Sequence, residues 1–390
     1  MKKAFSILVF IFILINQSTN KLCAQPALLP GRDSSRLRIS LLTCTPGDEL
    51  YTLFGHSALR VIDSNSVTDI VYNYGTFDFD DPGFYLKFIR GKLMYCISIE
   101  NFNDFKFDYQ ATNRGITEQV LNFSPEEKNT IRHALNENLK EENKYYKYDF
   151  FLDNCTTRLR DLLVNSKHPQ PLLPAVMPVN MRFRQAIHQY LDKGKQYWSK
   201  LGIDILLGAR TDAVMTAAQQ QFLPDNLMSS LDSCKNIRLV HSSEYLYPVS
   251  NNNDNNSWFT PMLFFSLLLL VFVLLSLFKN KWAQLTLKTL DVSLFFLTGL
   301  LGIILIFMWV ATDHSMTKNN YNLLWAWPTH IILPFFIRSN KNSVKRYFLF
   351  SSLVLVILLL TWFFLPQQMN NALLPFVLLL LYRSVTRYIQ

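Results

Sequence analysis

The stretch Tyr148-Asp149-Phe150-Phe151-Leu152-Asp153-Asn154-Cys155-Thr156-Thr157-Arg158-Leu159-Arg160-Asp161-Leu162-Leu163 changes character at Asn154. Before it the chain is aromatic and fits neither a helical nor a strand period cleanly. After it Leu159, Leu162 and Leu163 recur at helical spacing. Asn is a favoured N-cap, so the pattern predicts a helix from Asn154 through Leu163 with Cys155 at its first position. The free N–H groups and the dipole of a helix start favour a thiolate. The same N–H groups suit an oxyanion.

Upstream the periodicity is that of strands. Residues 39–44, 51–62, 69–74, 92–99 and 115–123 alternate or run apolar, with turns at Pro46-Gly47-Asp48 and at 63–66. Ser124-Pro125-Glu126-Glu127 reads as a helix start, with a Ser cap, Pro at the first helical position and Glu at the third, leading to about residue 143. Residues 179–193 and 211–235 also read as helical. Strands first, with helices around them, predict an α+β domain. Inside the second strand lies Phe54-Gly55-His56-Ser57. Strand alternation puts His56, Ala58 and Arg60 on one face. A His facing a helix-start Cys would make a base and a nucleophile. The bland alternative is that Cys44, Cys96, Cys155 and Cys234 pair as disulfides, as exported cysteines often do. Cys44 and Cys96 sit in apolar strand patterns typical of buried thiols. No Cys-x-x-Cys or His-x-x-x-His occurs, which disfavours a metal site. His133, His168, His188 and His241 read as surface or packing residues.

The chain has 390 residues, of which 49% are hydrophobic and only 17% charged. Soluble domains average about 25% charged, so a wholly soluble globule is disfavoured. The net charge of +9 is unevenly placed. Residues 1–24 hold three basic residues and no acids, 25–258 hold 25 basic and 27 acidic, and 259–390 hold 10 basic and 2 acidic. The large polar region is slightly acidic, which removes the main support for nucleic-acid binding.

Lys2 and Lys3, the apolar run 4–15 and Leu22-Cys23-Ala24-Gln25 read as a secretory signal peptide ending at Ala24. Residues 25–249 are then the extracytoplasmic domain and the Asn-rich 250–258 a linker. Residues 259–390 read as an all-α membrane domain of about five spans, near 259–278, 290–312, 322–337, 347–365 and 372–388. The third is interrupted by Pro328 and Pro334. Lys279, Lys281, Lys288, Arg338, Lys341, Lys345, Arg346, Arg383 and Arg387 fall on one side, and Lys318 stands alone on the other. That asymmetry predicts a periplasmic N-terminal domain and a cytoplasmic C-terminus in the inner membrane.

The runs LLTCTPGDELYTLFGHSALRV, VYNYGTFDF, GKLMYCI, YDFFLDNCTTRLRDLL, LLGARTDAV, FLPDNLM and DHSMTKNNYNLLWAWP resemble, in order, the Lnb family of Bacteroidota membrane proteins. The resemblance implies a circularly permuted papain-like domain, similar to lecithin–retinol-type acyltransferases, in which a His precedes the Cys. It implies lipoprotein N-acylation: an acyl chain moves from a phospholipid donor to the α-amino group of a diacylglyceryl-cysteine lipoprotein acceptor, with no cofactor and no metal. Cys155 becomes the nucleophile and His56 the base. Asn73 and Tyr72, one tight turn from His56, are the candidates to orient it. Tyr148, Asp149 and Asn154 are expected to line the pocket, Arg158 to meet a phosphate, and His314 to belong to a lipid-binding rim with Trp325 and Trp327. Two rivals use the same residues differently: a membrane-tethered cysteine peptidase or amidase acting on cell-wall peptide, and a non-catalytic envelope scaffold with Cys155 in a disulfide.

Overall fold

The structure is a computed structural model that describes residues 36–49, 52–78, 80–248, 258–336, 339 and 341–389. The signal-peptide expectation for 1–24 and all but the last residue of the expected linker lie outside the described residues. The chain divides into two compact units. One comprises the chain up to Thr45, Gly55–Pro174 and Gln221–Val249; the other comprises Pro46–Phe54, Ala175–Gln220 and Ser250–Gln390. Residues 175–220, read from the sequence as part of the extracytoplasmic domain, therefore group with the C-terminal helices.

The first unit is built on a seven-stranded antiparallel sheet of order β6-β4-β3-β2-β1-β5-β7. The strands are β1 (Leu37–Cys44), β2 (His56–Asp63), β3 (Thr68–Thr76), β4 (Met94–Asn101), β5 (Ile116–Leu121), β6 (Tyr145–Lys147) and β7 (Val240–Tyr247). Side chains alternate across it. Ile39 and Leu41 of β1, Leu59 and Val61 of β2 and Tyr72 of β3 bury against three helices: α3 (Pro125–Leu139), α4 (Cys155–Ser166) and α8 (Pro224–Asp232). Leu42, Cys44, Ala58 and Val71 face the other way, onto Phe102, Phe105 and Tyr109 of α2 (Phe102–Ala111). Arg60 caps that second face, stacking over the Phe102 ring and bridging Asp69 and Glu118.

The predicted helix start at Ser124 is a full capping box, with the Ser124 hydroxyl and Glu127 carboxylate satisfying each other's backbone N–H groups. Two strand and helix expectations are corrected. The second strand begins at His56, not residue 51, because Gly55 turns the chain with φ +77°. The helical stretch expected over 211–235 is three pieces: a 3₁₀ turn at Ala209–Asp212, α7 (Ala217–Gln220) and α8, which restarts at Pro224. Helix α1 (Phe84–Ile89), α2 and strand β7 had no periodic signal strong enough to be read.

In the second unit α5 (Phe183–Lys193) and α6 (Tyr197–Leu206) precede the apolar helices. Those are α9 (Pro261–Leu277), α10 (Lys281–Val310), the short α11 (Leu333–Phe336), α12 (Asn342–Thr361) and α13 (Leu374–Ile389). Among the described residues three helical stretches are long and apolar enough to cross a membrane, Lys281–Val310, Asn342–Thr361 and Asn371–Ile389; α9 is a shorter apolar helix of 17 residues. The span expected at 322–337 is not a continuous helix. It breaks into 3₁₀ turns at Tyr321–Leu324 and Pro328–Ile332 and the single turn of α11. Pro328 supplies no N–H to a helical ladder. The irregular backbone packs directly on α10, where a Cβ at Gly299 would stand 2.1 Å from the Ile331 nitrogen and one at Gly302 2.2 Å from the Ala326 oxygen. Non-helical backbone is tolerated among apolar helices only when protein surrounds it in this way.

Several of the charges read as falling on one side belong to helices. Lys281 and Lys288 lie within α10. Arg383 and Arg387 belong to α13 and close on Asp291 of α10, which is fully buried; Arg383 engages it with bonds of 2.7 and 2.8 Å. A buried carboxylate among apolar helices needs such partners. A second buried polar knot ties residues 184–212 to the turns between helices. Arg184, wholly buried, bonds Asp212 and Asp204 and the carbonyls of Leu207 and Gly208. Asn320, Asn322 and Gln367 hold further carbonyls of 204–207, and Asn370 reaches the Asp204 carboxylate at 2.8 Å.

Candidate active site

Asn154 caps α4 as its sequence predicts. Its Oδ1 accepts from the Thr157 N–H at 2.8 Å, while the Thr157 hydroxyl accepts from the Asn154 N–H. Cys155 is thereby fixed at the first helical position, buried and as a free thiol. Thr156, the next residue, donates from its hydroxyl to Ser57 Oγ at 3.1 Å and so pins the helix start to β2.

His56 opens β2, one residue from that pin. Gly55 holds the turn before it, and only glycine fits, because a Cβ there would stand 2.6 Å from the Cys44 carbonyl oxygen. Strand β3 is joined to β2 by the predicted tight turn and brings Asn73 to the imidazole: Nε2 lies 3.0 Å from Asn73 Oδ1. The amide's orientation follows from its other end, where Nδ2 donates to Glu100 Oε1 of β4 at 2.8 Å. Oδ1 must therefore accept, so Nε2 carries a proton. The side-chain hydrogen bond between His56 and Cys155 then falls to Nδ1.

The electrostatics follow this geometry. Burial alone would push the Cys155 thiol up. The charge of His56, its hydrogen bond, the Ser57 backbone N–H and the Thr156 hydroxyl outweigh it and lower the thiol from 9.0 to about 7. Burial likewise disfavours an imidazolium, but the charge and hydrogen bond of Cys155 and the bond to Asn73 hold His56 above its ordinary value. The pair is built to exist as thiolate and imidazolium. Cys44, paired in register with His56, shows the contrast: burial outweighs the charge of Arg114 and the hydrogen bond of Tyr109 and pushes its thiol up to about 12. Cys96 is disulfide-bonded instead of the free buried thiol its strand pattern suggested.

Tyr148 stands beside the nucleophile. A Cβ at Gly75 would touch the Tyr148 ring at 3.4 Å and Cys155 Cβ at 3.8 Å, so the two flank the same gap. Other expected site residues go elsewhere. Tyr72 alternates to the face opposite Asn73 and buries in the core beneath the helices, its hydroxyl without a partner among the described residues. Asn154 spends its polar atoms on the cap and on the carbonyls of Phe150 and Phe222, leaving none for a substrate. Asp149 likewise accepts backbone N–H bonds from Phe151 and Leu152. Arg158 is engaged by Asp153 through two bonds, at 2.6 and 2.8 Å, and lies over the Tyr146 ring. His314 lies in the other compact unit, with Trp325 buried and Trp327 stacked on His330. Glu100 was not singled out in the sequence, because its diagonal neighbourhood with Asn73 depends on the β3–β4 register, which shifts between Tyr74 and Thr76. Among the described residues no group of three or more His, Cys, Asp or Glu side chains could hold a metal ion.

The family model described as the Lnb N-terminal periplasmic domain matches residues 25–184, and that of the Lnb transmembrane domain matches residues 253–390. The chain belongs to the Lnb family. It is accordingly a membrane protein with a periplasmic N-terminal domain and a C-terminal transmembrane domain. In this Lnb family member the residues of the Cys155 centre lie within or beside the first match: His56, Asn73, Glu100, Tyr148 and Cys155 all fall inside 25–184. No curated protein and no solved structure matches the chain.

Proposed function

We propose that this protein is a lipoprotein N-acyltransferase of the inner membrane, with its C-terminus in the cytoplasm, that moves an acyl chain from a phospholipid through a Cys155 thioester to the α-amino group of a diacylglyceryl-cysteine. The observation that carries the reading is the chain of contacts Cys155–His56–Asn73–Glu100, with the thiol at a helix start and lowered to about 7. A free, activated thiol argues against a scaffold role with Cys155 in a disulfide. The order of the pair, His on a strand and Cys on a later helix, supports a permuted papain-like arrangement. Membership of the Lnb family supports the lipoprotein substrate.

In the first half-reaction the Cys155 thiolate attacks the ester carbonyl of the phospholipid. N–H groups at the start of α4 receive the oxyanion, while the Ser57 N–H stabilises the thiolate sulfur. The ester C–O bond breaks, and the His56 imidazolium gives its proton to the departing oxygen, releasing a lysophospholipid. In the second, the lipoprotein amine attacks the thioester, His56 takes the amine proton, an amide forms and the thiolate returns. Asn73 keeps the ring aligned through both steps, and Glu100 keeps Asn73 aligned. Both substrates are lipid-anchored, so the transmembrane domain holds the enzyme in the layer where they meet.

The test is mass spectrometry of a lipoprotein N-terminus in cells depleted of their own N-acyltransferase and supplied with this protein or its Cys155→Ala form. The reading requires an acylated amine with the first and a free amine with the second. A free amine with both overturns the function; acylation with both overturns the mechanism.

A further inference from the structure

A recess opens in the second compact unit beside the N-terminal end of α5 and the loop that joins α12 to α13. It holds about 220 Å³. Sites that enclose a drug-sized molecule hold ~300–1,000 Å³, so this one fits a headgroup and not a whole lipid. Two of the amides that line it are oriented by groups that can only donate. The Trp362 indole N–H donates to Asn371 Oδ1 at 3.1 Å, which leaves the Asn371 NH₂ for the recess. The Arg182 backbone N–H donates to Gln185 Oε1 at 3.2 Å, which leaves the Gln185 NH₂. Gln367 takes no part: its Oε1 accepts from the Tyr321 N–H, and its Nε2 donates to the Leu207 carbonyl. Gln368 also lines the recess, and its exposed side chain can present either end of its amide. Arg182 adds a guanidinium with no ion pair and no side-chain hydrogen bond among the described residues.

The nearby acids are already engaged. Asp212 is buried and its charge interacts with that of Arg182, yet Arg184 Nε lies 3.0 and 3.1 Å from its two oxygens and the Gln368 backbone N–H donates to it as well. Asp204 is held by Arg184, His188 and Asn370. Neither carboxylate lines the recess. The recess therefore offers oriented donors and one uncommitted guanidinium, the complement of phosphate oxygens. Apolar rings adjoin them. Phe363 also lines the recess, and Phe363 and Phe364 are 75% and 85% exposed just past the end of α12, a helix long enough to cross a membrane. Exposed rings at the end of a span suit the level at which headgroups give way to hydrocarbon. Arg182 falls inside the match to the periplasmic domain, which sets that level on the periplasmic side. We infer that the recess binds the phosphate ester of a membrane phospholipid, with Arg182, Gln185 and Asn371 donating to its oxygens and Phe363 beside its chains. This site does not depend on the acyl-transfer reading.

The test follows Arg182 itself. The full-length protein, freed of lipid in dodecyl maltoside, is treated with phenylglyoxal, and modification of Arg182 is read by peptide mass spectrometry. Phosphatidylethanolamine added to the micelles should slow that modification about tenfold, the worth of a charged hydrogen bond, while diacylglycerol and inorganic phosphate leave it unchanged. Asn371→Asp keeps the oxygen that accepts from Trp362 and replaces the donor with a negative charge. That variant should melt as the wild type does and lose the protection. Gln185→Glu keeps the oxygen that accepts from the Arg182 N–H and should behave in the same way. Equal protection by diacylglycerol overturns the site, as does full protection in a folded Asn371→Asp or Gln185→Glu protein. Should neither variant fold, the contrast between phosphatidylethanolamine and diacylglycerol still decides. Protection by inorganic phosphate as strong as that by the phospholipid supports the anion site and overturns the lipid as its ligand. Protection by neither overturns both.

Discussion

Replacing Asn73 with Ala removes the acceptor for His56 Nε2–H and leaves the Glu100 oxygen that Asn73 bonded, at 2.8 Å, without that donor. A hydrogen bond to a charged group contributes about 1.5–3 kcal/mol, and each pKa unit corresponds to about 1.4 kcal/mol. His56 should therefore lose about one to two units of its elevation. Since the charge and hydrogen bond of His56 are what bring Cys155 to about 7 against burial, the thiol should rise by a similar amount, back towards 9.0. The assay is the pH dependence of Cys155 alkylation by iodoacetamide in the full-length protein, with the other free thiols among the described residues, Cys44 and Cys234, resolved by peptide mapping. The midpoint should move up by about one to two units, and kcat/KM for acyl transfer at neutral pH should fall about 10- to 150-fold. A midpoint that stays near 7 in a folded Asn73→Ala protein would refute the role given to Asn73, because a purely structural contribution would lower stability without moving the titration.

Three further outcomes follow from the same geometry. In the wild type kcat/KM should be bell-shaped in pH: it climbs as the thiol ionises near 7 and falls where His56, raised above its usual value, loses its proton and can no longer serve as acid; a profile flat from below 6 to above 9 would contradict the ion pair. Gly55→Ala forces a side chain into φ +77° and within 2.6 Å of the Cys44 carbonyl, so it should cost more than ~1 kcal/mol in a denaturant melt and reduce Cys155 thiolate formation by displacing His56. Arg184→Ala takes the guanidinium from the buried Asp212 and leaves Asp204 with His188 as its remaining ionic partner, and thermal unfolding should report a loss of about 3–5 kcal/mol; a change under ~1 kcal/mol would show that the guanidinium is not needed for stability.

What the sequence revealed about the centre was what local rules govern. Asn154 caps and Cys155 follows because capping depends on three or four neighbouring residues. Asn73 was reachable because β2 and β3 are joined by a short turn, so nearness in the chain became nearness in space. The same turn could not tell Asn73 from Tyr72, since that choice depends on which face each side chain takes. Glu100 was invisible for a different reason: it reaches Asn73 through strand pairing across 27 residues, past a register shift. Among the apolar helices, composition detected hydrophobic length but not how backbone groups would be satisfied. Residues 322–337 are apolar enough to suggest a span, yet Pro328 and the close approach to Gly299 and Gly302 hold them as short turns. Arg383 and Arg387 counted only towards the one-sided charge because their partner, Asp291, lies more than 90 positions earlier in the chain.

The central claim is that acyl chains pass through the sulfur of Cys155. Intact-mass and peptide mass spectrometry of the purified full-length protein, mixed with phospholipid alone and quenched in acid, tests it directly. The account predicts one acyl group on the peptide containing Cys155, labile to hydroxylamine, cleared when a diacylglyceryl-cysteine peptide is added and matched by acylation of that peptide's amine. The Cys155→Ala protein should carry none. Transfer to the peptide amine with no acyl-Cys155 at any time, or undiminished transfer by Cys155→Ala, would contradict the account.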